Sequence, residues 1–156
     1  MVHIITGEIN QGKTTRIISI FNENRNGDGF ITKKVFGNGG FDGYEIVRLS
    51  NGDKMPFINK ILSVPDEAFR YGIFSFSQRA LNFAEEIIDE LLSNNISPVY
   101  MDEIGPVELD GKGFCELLRK ALHTDIDLYI TVRQSCVDAV VKKFNIRKCE
   151  ISQLKL

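Results

Sequence analysis

The feature that most constrains the fold of this chain is a glycine-rich segment close to its amino end. The segment matches the pattern G-x-x-x-x-G-K-[ST] at every fixed position, and it reads Gly7, Glu8, Ile9, Asn10, Gln11, Gly12, Lys13, Thr14. A short β-branched run, Val2 to Thr6, precedes it, and an amphipathic pattern from Lys13 to about Asn24 follows it. Strand, loop and helix in this order predict a phosphate-binding P-loop within an α/β fold.

Each fixed position of the P-loop has a chemical reason. Glycine lets the backbone wrap closely, so that its N–H groups face phosphate oxygens at the amino end of a helix. The Lys13 ammonium is expected to reach the β- and γ-phosphates, and the Thr14 hydroxyl is expected to bind Mg²⁺. We therefore assign residues 7–15, the motif and the following Thr15, to nucleotide binding. We also predict Lys13 as a catalytic residue.

Two adjacent acids supply the second half of the predicted site. Asp102 and Glu103 follow the apolar run Pro98 to Met101, which reads as a strand. Open α/β sheets bind ligands at the carboxyl ends of their strands, so these acids should lie beside the P-loop. Two acids after a strand also occur as a solvated turn, and the P-loop favours the functional interpretation. We predict Asp102 as a Mg²⁺ ligand and Glu103 as the general base that activates water.

The remaining pattern alternates strands with helices, apart from one segment after the first helix. Three runs there, Phe30–Phe36, Tyr44–Leu49 and Lys54–Ile58, predict an antiparallel β-meander. The other predicted elements are a helix at 77–92 with a capping box from Ser75 to Gln78, a helix at 112–122, a strand at 126–132, a helix at 137–144 and a strand at 146–151. We predict one P-loop domain over residues 1–156, with a mostly parallel sheet flanked by helices.

Composition limits the partners and the compartment. The net charge of −2 argues against a broad nucleic-acid or anionic-membrane surface, and no apolar run approaches the length of a membrane-spanning helix. Gly7 and Glu8 interrupt the first apolar run, so no signal peptide is visible. Three widely spaced cysteines are expected to be reduced thiols, which favours the cytoplasm. No protein partner is indicated.

The positive group that stabilises the developing charge is less well defined by the sequence. Arg133 follows the predicted strand at 126–132 and so stands at the nucleotide edge of the sheet, although it also fits a solvated loop. Further candidates are Arg16, Lys33, Lys34, Arg48 and Arg70. No spacing of His, Cys or acidic residues indicates a zinc site.

Three segments of the chain resemble a family of small nucleoside triphosphatases found in thermophilic prokaryotes and in vertebrates, where the protein is called the cancer-related nucleoside triphosphatase. They are the P-loop ending Gly12-Lys13-Thr14-Thr15, the Gly29-Phe30 strand leading to Gly43-Tyr44-Glu45-Ile46-Val47, and the segment Asp102-Glu103-Ile104-Gly105-Pro106-Val107-Glu108-Leu109. The last is the most specific, because general P-loop chemistry does not require the residues beyond the two acids.

The resemblance implies hydrolysis of nucleoside triphosphates, ATP and GTP included, with broad tolerance of the base. It also implies Lys13 on phosphate, Thr14 and Asp102 on magnesium, and Glu103 on water. The chain departs from the family at Gln11, where a second glycine is usual. It departs again at Arg133-Gln134-Ser135, where a proline-containing loop is frequent.

Two other functions stay open at the level of the sequence. A nucleotide or nucleoside kinase would need an acceptor pocket and an arginine-bearing lid, and the chain has no late arginine-rich lid segment. A nucleotide-gated switch would hydrolyse slowly and respond to a partner. Of the three, the adjacent acids favour hydrolysis, because a carboxylate beside the magnesium ligand suits the activation of water.

Overall fold

A nine-stranded mixed sheet runs through the part of the chain that the computed structural model describes, residues 1–60 and 64–154. In chain order the elements are β1 (Val2–Gly7), α1 (Lys13–Asn24), β2 (Asp28–Gly37), β3 (Gly40–Arg48), β4 (Lys54–Asn59), β5 (Glu67–Tyr71), β6 (Phe74–Ser77), α2 (Gln78–Ser93), β7 (Val99–Ile104), α3 (Pro106–Leu109), α4 (Cys115–Leu122), β8 (Leu128–Arg133), α5 (Val137–Lys143) and β9 (Cys149–Gln153). The order of the strands across the sheet is β5-β6-β4-β3-β2-β7-β8-β1-β9. The predicted α/β fold class is confirmed.

The sheet has a parallel part and an antiparallel part, and β2 belongs to both. Asp28 to Phe30 pair in parallel with β7, whereas Phe30 to Gly37 pair antiparallel with β3. The parallel part continues through β8 and β1 to β9, and the antiparallel part continues through β4 and β6 to β5. The predicted P-loop therefore follows a strand of the parallel part, β1, which is separated from β2 by β7 and β8.

The antiparallel part is larger than the predicted three-stranded meander. Two further strands, β5 and β6, were not predicted from the sequence, and they form a tight hairpin around Gly72. Both strands are short and carry charged or small polar residues, so their alternation of aromatic side chains extends over too few residues to be distinctive.

The sheet packs helices on both faces because neighbouring residues of a strand point to opposite sides. Ile4 belongs to a large core with residues of α2, α4 and α5, while Ile5 belongs to a smaller core with Ile17 of α1. None of the helices in the described ranges combines the length and the apolarity needed to cross a bilayer.

The helix predicted at 112–122 is shorter and has a second helix before it. Gly111 and Gly113 both have positive φ, so the chain turns there between α3 and α4. The last strand also begins later than predicted, at Cys149, because Ile146 is buried after α5 and not in the sheet. The three cysteines are free, as predicted.

The amino end of α2 is capped by a different serine from the one predicted. The Ser77 hydroxyl accepts a hydrogen bond from the Ala80 N–H at 3.2 Å and donates to the Asp66 carboxylate at 2.7 Å. Ser75 is instead buried in β6, where it donates to Glu67. The cap thus also fixes the loop before β5 to the start of the helix.

We expect Ser77→Ala to lower the free energy of unfolding by about 1 kcal/mol, because it leaves a helix N–H of α2 without its acceptor. The measurement is urea denaturation followed by circular dichroism. Ser93→Ala, an exposed serine at the other end of the same helix, should change stability by much less. Equal stability of the two variants would contradict the cap.

Candidate functional site

The predicted P-loop connects the end of β1 to the start of α1. Gly12 has φ of 94° and precedes the first helical residue, a backbone conformation that strongly favours glycine. Lys13 is buried, and its ammonium donates to the Glu8 carbonyl at 2.8 Å and to the Gly7 carbonyl at 3.4 Å. The loop therefore surrounds the lysine side chain with its own backbone, and it holds the ammonium inside the curve of the loop.

Gln11 links the two ends of the P-loop to each other and to the segment after β9. Its side-chain oxygen accepts from the Glu8 N–H at 2.6 Å, and its side-chain nitrogen donates to the Leu154 carbonyl at 3.2 Å. Leu154 in turn donates its N–H to Thr6 at 2.8 Å. A Cβ atom on Gly7 would lie 2.5 Å from the Gln11 side-chain oxygen, so a larger residue at position 7 would displace the Gln11 amide group. The glutamine that departs from the expected pattern thus connects the P-loop to the segment after β9.

Asp102 lies at the centre of the site, with none of its surface exposed. Its carboxylate accepts from the Thr14 hydroxyl at 2.8 Å, from the Thr32 N–H at 3.1 Å and from the Thr131 hydroxyl. Burial raises the pKa of Asp102, and these hydrogen bonds act in the opposite direction. The structure therefore brings together the two residues predicted as magnesium ligands, Thr14 and Asp102.

Glu103 is in the left-handed region, with φ of 64°. The pairing of β7 with β8 shifts register between Met101 and Ile104, and the Glu103 N–H donates to the Thr131 hydroxyl at 2.8 Å. The strand was predicted to end at the two acids, but it continues to Ile104 through this irregularity. Asp102 consequently points into the protein while Glu103 stays exposed at the cleft beside the P-loop.

The Glu103 carboxyl has a raised pKa for two reasons. Surrounding protein atoms remove part of its hydration, and the nearby Asp102 carboxylate adds repulsion. The positive charges of Lys13, Arg133 and Lys34 oppose this rise in the pKa. Lys13, Arg133 and Lys34 are therefore the cationic side chains close enough to influence the predicted general base.

A cleft of about 360 Å³ opens over the P-loop. It is lined by Asn10, Gln11, Gly12, Lys13, Thr14, Thr32, Lys33, Lys34, Phe36, Tyr44 and Glu103. Lys34 donates a hydrogen bond to the Asn10 side chain, which connects β2 to the P-loop. Phe36 is 68% exposed at this cleft, and nothing in the sequence pattern indicated that it would lie there. The cleft therefore offers cations, hydroxyls and aromatic faces together.

The other predicted cations are distributed between the site and the scaffold. Arg133 is in register with Gly7 across the β1–β8 pair and lines a neighbouring cavity with Glu103. Arg48 forms ion pairs with Asp28 at 2.7 Å and Glu90 at 2.8 Å, so it joins β3 to β2 and α2. Two further candidates lie elsewhere: Arg16 is exposed on α1, and Arg70 forms an ion pair within β5.

The donor set at Thr14 and Asp102 suits Mg²⁺. Within residues 1–60 and 64–154 there is no cluster of three or more His, Cys, Asp or Glu residues that would form a complete protein cage for a metal. One hydroxyl and one carboxylate are hard oxygen donors, and Mg²⁺ usually takes few protein ligands and completes its shell with water and phosphate. The chemistry of the two side chains therefore fits the predicted ion.

Glu108, on α3, is a buried acid that the sequence did not single out for a role. Only 4% of it is exposed, and its two carboxyl oxygens accept from the Gly105 N–H at 2.9 Å and the Phe114 N–H at 3.0 Å. Burial raises the pKa of Glu108 to about 7, although these two hydrogen bonds favour the charged form. The carboxyl fixes the turn that follows β7 to the residue before α4.

The chain is similar to proteins of known name. A protein-family model described as NTPase matches residues 2–156. Nucleoside-triphosphatase THEP1 of Natranaerobius thermophilus is 28% identical over 133 residues, which cover 83% of this chain and 73% of that protein. Nucleoside-triphosphatase THEP1 of Pyrobaculum aerophilum is 30% identical over 141 residues, which cover 88% of this chain and 77% of that protein.

Two solved structures share the fold. The crystal structure of THEP1 from Aquifex aeolicus aligns with a TM-score of 0.78 and 24% identity, covering 99% of this chain and 90% of that one. The solution structure of a human cancer-related nucleoside triphosphatase aligns with a TM-score of 0.69 and 20% identity, covering 99% of this chain and 89% of that one. At this level of identity the two structures support the fold and not the details of the site.

The raised pKa of Glu108 predicts a specific pH dependence of stability. Between the ordinary value of 4.5 and about 7, the folded protein holds a proton that the unfolded chain has released. Stability from this group therefore falls as the pH rises through that window, and it levels off above pH 7. Relative to Glu108→Gln, which does not titrate, the parent should lose up to about 3 kcal/mol between pH 4.5 and 8.

Urea denaturation at a series of pH values measures this difference. Glu116→Gln, a change at an exposed acid of α4, is the matched control and should follow the parent at every pH. Parallel pH profiles of the parent and Glu108→Gln would show that the Glu108 carboxyl is not protonated in the folded protein.

Proposed function

This chain belongs to the NTPase family, and we propose that it hydrolyses nucleoside triphosphates, ATP and GTP among them, with Mg²⁺ bound at Thr14 and Asp102. The observation that carries the proposal is the 2.8 Å hydrogen bond between these two side chains. It joins the helix that follows the P-loop to the strand that bears the acids, and it gives the two hard oxygen donors a common site.

In this proposal the P-loop binds the triphosphate through backbone N–H groups of residues 7–15 and through the Lys13 ammonium. The buried position of Lys13 inside the loop supports this role, since its charge is already directed toward the loop backbone that would surround the phosphates. When bound at Thr14 and Asp102, Mg²⁺ neutralises charge on the phosphate oxygens.

Glu103 acts as the general base in the proposed reaction. Its carboxylate orients a water molecule toward the γ-phosphorus and accepts the proton that the water loses on attack. Two observations support the assignment: the residue lines the cleft over the P-loop, and its raised pKa increases its affinity for a proton. Lys34 and Arg133 are the cations we propose for stabilising the charge that develops on the phosphate.

Recognition in this proposal rests mainly on the phosphates, which agrees with tolerance of different bases. We propose no nucleic-acid or membrane partner, because the net charge is −2. The three free cysteines fit a reducing compartment, and we propose the cytoplasm.

Lys13→Ala should reduce turnover of ATP by about 100-fold or more, because it removes the positive charge that the γ-phosphate meets in the transition state. Phosphate release and nucleotide affinity are measured on the same preparation, with thermal unfolding as a check of the fold. Lys54→Ala removes an exposed lysine of β4 and should behave like the parent. Parental turnover by a folded Lys13→Ala protein would move the active site away from the P-loop.

Removal of divalent metal should abolish hydrolysis, since Thr14 and Asp102 are assigned to Mg²⁺. The assay is phosphate release in excess chelator, followed by re-addition of Mg²⁺ to the same sample. We expect activity to fall to background and to return on re-addition. Full activity in excess chelator would remove the metal from the mechanism.

Glu103→Gln should slow single-turnover hydrolysis by about 10²- to 10⁴-fold, the usual contribution of a general base. Nucleotide affinity should hold or rise slightly, because a negative charge near the γ-phosphate is removed. Glutamate and glutamine experience the same left-handed backbone, so the substitution isolates the charge and the basicity. Glu116→Gln on α4 controls for loss of an exposed acid.

Near-parental hydrolysis by Glu103→Gln would exclude Glu103 as the base. Loss of both binding and hydrolysis would instead assign Glu103 to the metal shell or to support of the fold.

A further inference from the structure

A second cavity lies beside the cleft over the P-loop and shares three of its walls. The cavity measures about 270 Å³, and Thr32, Tyr44 and Glu103 line both spaces. Its remaining walls come from β4, β5, β6, the turn that follows β7, α3 and the end of β8. A molecule in this cavity would therefore lie beside Glu103, next to the cleft over the P-loop.

The deep part of the cavity is aromatic. Phe57, Phe76 and Phe114 are buried and pack on one another, with ring centroids 5.3 Å apart for Phe57–Phe76 and 5.2 Å apart for Phe57–Phe114. Phe74 and Tyr71 are half-buried and complete the wall. Glu108 also lines the cavity, but both of its oxygens already accept backbone N–H groups. Flat apolar rings are the ligands that such a surface takes best.

Two oppositely charged side chains also line the cavity, and one of them borders the P-loop cleft as well. Glu103 and Arg133 are both there, one carboxylate and one guanidinium, so their formal charges cancel. Thr32 lies on the shared wall, and within the described ranges its buried hydroxyl has no hydrogen-bond partner. A neutral hydroxyl group, which both donates and accepts, fits this pair of charges better than an ion of either sign.

We propose that this cavity binds a neutral aromatic small molecule with a hydroxyl group, and that this hydroxyl replaces water as the acceptor of the γ-phosphoryl group. The ring occupies the aromatic part of the cavity and the hydroxyl meets Glu103. At about 270 Å³ the cavity is just below the usual size range of ligand pockets, which suits one ring system.

The transfer uses the residues of the proposed hydrolysis and rests on that function. The hydroxyl oxygen forms a bond to the γ-phosphorus, and the bond from the γ-phosphorus to the β–γ bridging oxygen breaks. The electron pair leaves with the nucleoside diphosphate, and the Glu103 carboxylate takes the hydroxyl proton. The products are a phosphate monoester and the diphosphate, with no change of oxidation state.

The experiment incubates the full chain with Mg²⁺ and ATP labelled in its γ-phosphate, in the presence of benzyl alcohol or 2-phenylethanol. Propan-1-ol at the same concentration is the control without a ring. Labelled monoester and inorganic phosphate are quantified in the same tube. We expect each aromatic alcohol to receive at least 10-fold more label than propan-1-ol.

The two products separate the two proposals. Phosphate release with no ester, or with equal labelling of all three alcohols, overturns the acceptor site and leaves hydrolysis intact. Ester formation that favours the aromatic alcohols, without phosphate release, supports the acceptor site and overturns hydrolysis. Absence of both products overturns both.

Variants of the cavity wall provide the second test. Val107→Phe places a ring inside the cavity and should lower the ratio of ester to phosphate at least 10-fold, whereas Ile96→Phe, an exposed position after α2, should leave that ratio unchanged. Phe74→Ala removes part of the aromatic wall and should reduce the preference for aromatic alcohols over propan-1-ol. If Val107→Phe fails to fold by circular dichroism, Phe74→Ala decides. Parental ratios in the folded variants overturn the proposal.

Discussion

The hydrogen bonds of the Asp102 carboxylate connect four parts of the molecule at one buried point. Asp102 itself belongs to β7, Thr14 is the second residue of α1, Thr32 lies on β2 and Thr131 lies on β8. A carboxylate with no exposed surface is tolerated only when its oxygens have donors, so each of these partners is constrained by the others. The position of the P-loop relative to the sheet, and of β2 relative to β7, depends on this one group. The site and the scaffold are therefore stabilised by the same contacts.

The irregularity of β7 gives two neighbouring acids separate surroundings. In a regular strand, alternate residues simply face opposite sides of the sheet. Here the left-handed conformation of Glu103 and its N–H bond to Thr131 keep the residue at the open edge, next to both cavities. A non-glycine residue in this conformation costs on the order of 1 kcal/mol or more, and such strain is concentrated at functional positions. The Thr131 hydroxyl contacts both acids: it donates to the Asp102 carboxylate and accepts from the Glu103 N–H. These two hydrogen bonds keep the acids in their different positions.

The sequence predicted those parts of the molecule that depend on local spacing. The P-loop pattern predicted β1, the loop and α1 together. The apolar run before Asp102 was sufficient to predict that this acid lies beside Thr14. Contacts between distant segments were not predictable in this way. The Gln11–Leu154 hydrogen bond joins opposite ends of the described chain, and the aromatic cavity combines rings from β4, β6 and the residue before α4. No periodicity in a single segment encodes such contacts, because each depends on how the whole sheet is ordered.

The place of β1 in the sheet has a consequence for the order in which the protein folds. The antiparallel pairs β2–β3 and β3–β4 join strands that are adjacent in the chain, whereas β1 pairs with β8 and β9, near the other end. Pairings between distant segments form slowly, because a long loop must close before any contact is gained. On a growing polypeptide, β1 leaves the ribosome long before β8 and β9, so it must wait for those strands before it pairs with them. A nucleotide that binds this fold would therefore stabilise a sheet in which β1 already lies between β8 and β9, and it would shift the folding equilibrium toward that state.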